Sequence, residues 1–204
     1  MKPTSFPHAC IRTTLAAALL CLPIIFSGCN DGEYVPKPKA YLRIDMPQKD
    51  YRLYDTAALP FTFECPSEAT VNWKQDDKRT KYFDLLYPQY NGIINLTYKH
   101  FHTMDDLYSL VDTASRMLAL HHGQSTGEKE ATLSDPEGRV YATIVKLGGK
   151  NAGSTCQFWL TDSTEHFLRG ALFLNYTPNN DSLAPVIEYL QADVLRIIET
   201  LQWR

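Results

Sequence analysis

The sequence predicts an α+β domain in which an antiparallel β-sheet carries a middle helix and a long C-terminal helix. Three observations lead there. Short runs rich in Tyr, Phe, Ile and Val alternate with proline or charged clusters through most of the chain. A stretch near residues 103–123 changes to helical spacing, and the last stretch does so again over residues 183–201. The order strands, helix, strands, helix, with hairpin-length connections and no internal repeat, places helices on an antiparallel sheet rather than in βαβ units.

The N-terminal residues stand outside that fold. Met1 to Gly28 carries Lys2 and Arg12, no acidic residue, and the apolar run TTLAAALLCLPIIF, Thr13 to Phe26. That run is too short for a helix crossing a hydrocarbon core of roughly 30 Å, and the pattern is that of a secretory signal. It ends in FSGC, Phe26 to Cys29, which resembles the bacterial lipobox. Cleavage there would leave Cys29 as an acylated N-terminus. Several acyl chains give a stable anchor at about 0.8 kcal/mol per buried CH₂. Residues 29–40, including NDGEYVPKPKA, then read as an extended tether, and residues 41–204 as one globular domain. Removal of residues 1–28 leaves a chain more acidic than the whole, whose net charge is already −3. With no basic stripe, nucleic acid is not expected as a partner.

The strand expectations are YLRIDMP, PFTFECP, ATVNWK, YFDLLYP and GIINLTYKHF, with KQDDKRTK (Lys74 to Lys81) as a solvated loop. In the middle helix Thr103 and Asp106 are placed as N-cap and N3 of a capping box. Leu107, Leu110, Val111, Ala114, Met117 and Leu118 form its apolar stripe. His121, His122 and Gly123 fit its C-terminal end. Further strands are EATLSD, RVYATIVKL, CQFWLTD and FLRGALFLNY. The closing helix begins near Asp181-Ser182 with Pro185 in its first turn. Leu183, Val186, Ile187, Leu190, Val194, Ile197, Ile198 and Leu201 form its stripe.

One short stretch resembles an active site. TDSTEHFLRG, Thr161 to Gly170, holds Asp162, Ser163, Glu165, His166 and Arg169. A catalytic triad needs three side chains converging in a line, whereas successive strand residues point to opposite faces. Ser163 lacks a G-x-S-x-G context. A hairpin turn is the simpler reading, with His166 and Arg169 as a recognition surface and a hydrolase site as the rival. His100 and His102 share a strand face and offer two metal ligands, but no nearby Cys or His completes a set, so no metal is expected. GGKNAGS, Gly148 to Ser154, precedes a strand instead of a helix and reads as a flexible loop. No cofactor is expected. Cys65 and Cys156 would lie in an oxidising compartment, where a disulfide and two buried free thiols are equally compatible with the sequence.

Taken together, YVPKPKAYLRIDMP, PFTFECP, GIINLTYKHF, the long segment from Gln157 to Leu190 and the closing IIETLQWR resemble the gliding motility-associated lipoproteins (GldD) of the Bacteroidetes. The resemblance covers essentially the whole mature chain. It implies an envelope lipoprotein needed by the gliding and type IX secretion machinery, anchored to a membrane facing the periplasm, with no known catalytic residue. Only the lipobox cysteine carries over, onto Cys29. The chain has Leu59 where the family implies a Cys. Partners would be other envelope lipoproteins and membrane proteins of that machinery. Asp162, His166, Arg169, Asn179 and Asp181 are the residues expected to meet them. The phylum's O-glycosylation pattern, Asp-Ser/Thr before a small or apolar residue, points to Thr56 and Ser182; the copies at Thr113 and Ser163 fit it too. The leading function is a non-enzymatic assembly or stabilising component. The rivals are a hydrolase of cell wall or glycan using Asp162, Ser163 and His166, and a carrier for a small apolar ligand. In architecture the chain also resembles the Mog1/PsbP type of α/β/α sandwich.

Overall fold

A computed structural model describes residues 46–204, Pro178 excepted. The signal, Cys29, the tether and most of the YLRIDMP run lie outside the described residues. Ten strands run in chain order: β1 (Tyr51–Tyr54), β2 (Phe61–Pro66), β3 (Thr70–Asp76), β4 (Thr80–Tyr87), β5 (Gly92–His100), β6 (Gly127–Asp135), β7 (Val140–Gly148), β8 (Ser154–Thr161), β9 (His166–Leu174) and β10 (Gln202–Trp203). The helices are α1 (Met104–Ala119) and α2 (Asn180–Thr200). Seven strands form one antiparallel sheet in the order β3-β4-β5-β9-β8-β7-β6, and β1-β2-β10 form a second.

Strand alternation assigns the two faces of the large sheet. Ile94, Leu96 and Tyr98 of β5 and Leu168 and Leu172 of β9 point to the main core, which α2 and the small sheet cover. Phe167 of β9 and Val145 and Leu147 of β7 point the other way, toward Leu107, Ala114 and Leu118 of α1. Trp159 bridges the two clusters beneath α1. One helix therefore lies on each face of the antiparallel sheet, and the α+β class holds. The Mog1/PsbP comparison goes no further than this layer order. The main core is filled by large side chains, with Phe61, Phe63, Phe83, Tyr87 and Phe158 all inaccessible to solvent. Gly170 is required there, because a Cβ at that position would fall 2.2 Å from the Phe158 ring. Edge strand β6 is protected differently: GEKEATLSD is exposed along nearly its whole length, and its charges discourage pairing with another chain.

The capping box of α1 forms as expected, with Thr103 accepting from the Asp106 N–H and Asp106 accepting from the Thr103 N–H. Several expectations need correction. The charged run Lys74–Lys81 is not a long loop. β3 and β4 continue into it, and Asp77 closes the turn by accepting from the N–H groups of Arg79 and Thr80. Gly123 does not cap α1, which stops at Ala119 before a 3-10 turn over His122–Gln124. Met117 is solvent-exposed, outside the buried stripe. Pro185 lies beyond the first turn, on the exposed side of α2, where its missing N–H leaves the Asp181 carbonyl without its helical donor. GGKNAGS is not free at both ends: the Asn180 side chain donates to the carbonyls of Gly149 and Ala152, tying the loop to the start of α2. Gly149 takes φ +117°, and a Cβ there would meet the Thr126 nitrogen at 2.8 Å.

Candidate functional site

The stretch from Thr161 to Gly170 is the β8–β9 turn, as its sequence suggested, and hydrogen bonding shows why it needs these residues. Ser163 sits at φ 65° at the tip. Asp162 is buried, and its Oδ1 accepts from three N–H groups: Thr164 at 3.0 Å, Glu165 at 2.9 Å and His166 at 2.8 Å. Its Oδ2 accepts from the Thr164 hydroxyl and lies 3.9 Å from the Arg139 guanidinium. Burial alone would raise the Asp162 pKa, but these donors outweigh it and hold the carboxyl at about 2. The carboxylate is committed to the turn.

His166 points into the main core at the end of β9. Its Nδ1 is 2.8 Å from the Tyr98 hydroxyl, and its ring stacks on Trp203 with centroids 5.1 Å apart. The C-terminal tail makes that stack possible. β10 pairs with β2, the Arg204 N–H donates to the Pro60 carbonyl at 2.9 Å, and Trp203 Nε1 donates to the Arg139 carbonyl. Burial lowers the His166 pKa more than the nearby charges of Asp162 and Glu165 raise it. Arg169, three residues along β9, points to the opposite face and donates to Gln157 Oε1 at 2.7 Å.

These positions agree with the turn reading over its hydrolase rival and separate the two residues expected to form a recognition surface. Asp162, Ser163 and His166 do not form a triad: Asp162 bonds the His166 backbone, not its ring, and Ser163 projects outward from the tip. Nor do His166 and Arg169 make one recognition surface. His166 is 5% exposed, and strand alternation sends Arg169 to the other face. Asn179 and Asp181 are exposed, at the N-terminus of α2. Beside them lies an open groove of about 470 Å³ between α2 and the β6–β7 pair, where Asp181, Glu188, Lys129 and Lys146 contribute charge. Tyr176, in the same loop, is also exposed. Thr56 accepts from the Ala58 N–H in the β1–β2 loop, and Ser182 accepts from the Asn179 side chain in the first turn of α2. Cys65 and Cys156 are buried free thiols, not a disulfide; burial pushes them up to about 11 and about 12 respectively. They stand on different sheets, β2 and β8, as interior packing.

A second polar cluster escaped the sequence. Asp193 is inaccessible to solvent on the core side of α2, where Oδ1 accepts from Lys49 Nζ and from the Tyr51 hydroxyl at 2.9 Å. Its Oδ2 and the Tyr87 hydroxyl are buried and lie close enough to interact, but do not meet hydrogen-bond geometry. Lys49 also lies 3.4 Å over the Tyr189 ring. Burial raises the Asp193 pKa against the lowering effect of Lys49 and Tyr51. One signal was available: Asp193 falls between Leu190 and Val194 in the apolar stripe of α2, where an acid needs buried partners.

Among the described residues no helix is long and apolar enough to cross a membrane. Comparison with curated proteins gives no match. A protein-family model, that of the gliding motility lipoprotein GldD, matches residues 31–203, which is nearly all of the chain beyond the lipobox, and the chain belongs to that family.

Proposed function

We propose that the protein is a non-enzymatic assembly or stabilising component of the gliding and type IX secretion machinery, held by lipid on Cys29 to a membrane and facing the periplasm. Family membership supports a motility-related lipoprotein. The observation that carries the non-enzymatic part is the state of Asp162. Its oxygens are taken up by the turn's own donors, so the residues most suggestive of hydrolysis are spent on holding the β8–β9 hairpin. The main core, packed with aromatic rings, argues against a carrier for a small apolar ligand in that layer.

Partner contact falls to the exposed loop before α2, where Tyr176, Asn179 and Asp181 flank the charged groove. These side chains can change without disturbing the core, which His166 and Asp162 cannot. The triple variant Tyr176→Ala, Asn179→Ala, Asp181→Ala is therefore expected to fold normally and to recover fewer envelope proteins in affinity purification from mildly solubilised membranes. Undiminished recovery would remove the loop from the contact surface. Turnover of a glycan or peptidoglycan substrate by the purified wild type would remove the non-enzymatic reading.

A further inference from the structure

We propose that His100, Glu165 and His166 form a binding site for a borderline transition-metal ion of the zinc type at the open end of the β5–β9 pair. His100 and His166 are directly opposed in the antiparallel register of the two strands. Opposed residues on neighbouring strands project to the same side of the sheet, within side-chain reach of each other. Glu165 adjoins them at the turn. Its Oε2 is 3.3 Å from His100 Nε2, and its Oε1 is 3.7 Å from His166 Nε2. Zinc–ligand distances of about 2.0–2.1 Å in tetrahedral geometry place neighbouring ligand atoms roughly 3.3 Å apart, close to both Glu165 separations, and rotation of the His100 side chain toward His166, whose ring centroid is 5.9 Å away, would bring both imidazoles onto one ion. The His166 ring is oriented for ligation. Tyr98 occupies Nδ1, which directs Nε2 toward Glu165, the arrangement by which outer partners fix a ligating imidazole.

Access and alternatives support the same assignment. His100 and His166 line an open pocket of about 280 Å³, so an ion can enter from solvent. His102, whose ring lies 4.7 Å from that of His100, is exposed and offers a further nitrogen. Asp162, although within 4.8 Å of the Glu165 and His166 ligand atoms, acts behind the site as a fixed negative charge because its lone pairs are already engaged. Lys78 and Lys81 line the same pocket, and their charges oppose a cation. A donor set of two imidazoles and one carboxylate disfavours calcium or magnesium, which depend on many oxygen ligands, and suits ions held by imidazole nitrogen.

The test uses the untagged, detergent-solubilised full lipoprotein, stripped with a chelator and titrated with Co²⁺, then back-titrated with Zn²⁺. The expected result is one saturable equivalent with visible d–d absorption, displaced by Zn²⁺. His100→Asn should lose it, and Glu165→Gln should weaken it about tenfold or more. Both residues are partly exposed, and near-UV circular dichroism checks that each variant keeps its fold. Absence of saturable binding by wild type would overturn the proposal. So would unchanged affinity in both variants, or a thiolate charge-transfer band placing the ion on Cys65 or Cys156.

Discussion

Asp162 and Asp193 are both carboxylates shut away from solvent, yet the fold treats them in opposite ways. Asp162 sits in a turn whose backbone delivers three N–H groups and whose Thr164 adds a hydroxyl, and its pKa is held low. Asp193 sits on a helix, where the backbone N–H groups are used by the helix itself. It depends on two long side chains from the start of the domain, while its second oxygen has only the Tyr87 hydroxyl nearby, outside good hydrogen-bond geometry. Both are nearly inaccessible, Asp193 the more deeply, and their donor supply differs as well. A carboxylate in a tight turn is stabilised by nearby backbone, whereas one on a helix face must recruit its donors from distant sequence.

The contrast is broken most readily at Asp162. Asp162→Ala leaves several N–H groups in a turn without an acceptor and is expected to cost about 3 kcal/mol in urea unfolding. A loss under 1 kcal/mol would mean that water replaces the carboxylate. Trp203→Ala removes the ring stacked on His166 and set edge-on to Phe61, and is expected to cost about 2 kcal/mol. Asp193→Asn should change stability by less than about 1 kcal/mol, because it relieves a buried charge while unpairing Lys49. A large loss there would show that the Lys49 pair is strongly stabilising, which would reverse the ranking of the two acids.

The pH dependence of stability differs in sign between the two sites. The depressed pKa of Asp162 gives stability that is complete above the unfolded value of about 4 and is lost as pH falls toward about 2. The raised pKa of Asp193 works the other way: its contribution is greatest below the unfolded value and is lost as pH rises through the folded one. Asp162→Asn should therefore flatten the acid limb of the stability curve. Asp193→Asn should flatten the opposing limb. Thermal unfolding between pH 2 and pH 7 measures both, and identical curves for wild type and Asp162→Asn would refute the turn's account.

The sequence made the fold legible wherever pattern and structure share a period. β2, β5, β7, β8 and β9 were visible in their alternation, and both helices in their stripes and the Thr103 capping box. β1 and β10 were not, because Tyr51–Tyr54 and Gln202–Trp203 are too short to carry a period and exist by pairing with β2. The turn at Asp162 was legible from residue type. The direction of His166 was legible only in part, since alternation separates it from Arg169 but cannot reveal Trp203 arriving from the end of the chain. The Asp193 cluster and the His100–Glu165–His166 corner are long-range constructions, joining Lys49 to α2 and β5 to β9, and local spacing carries neither.

The proposed function requires that an acyl chain on Cys29 hold the folded domain at a membrane. Replacing wild type by Cys29→Ala in the native host tests this most directly, with membrane fractionation and gliding or type IX secretion read together. The expected result is normal folding, release from the membrane fraction and loss of function. A Cys29→Ala protein that stays membrane-bound and fully supports both processes would contradict it.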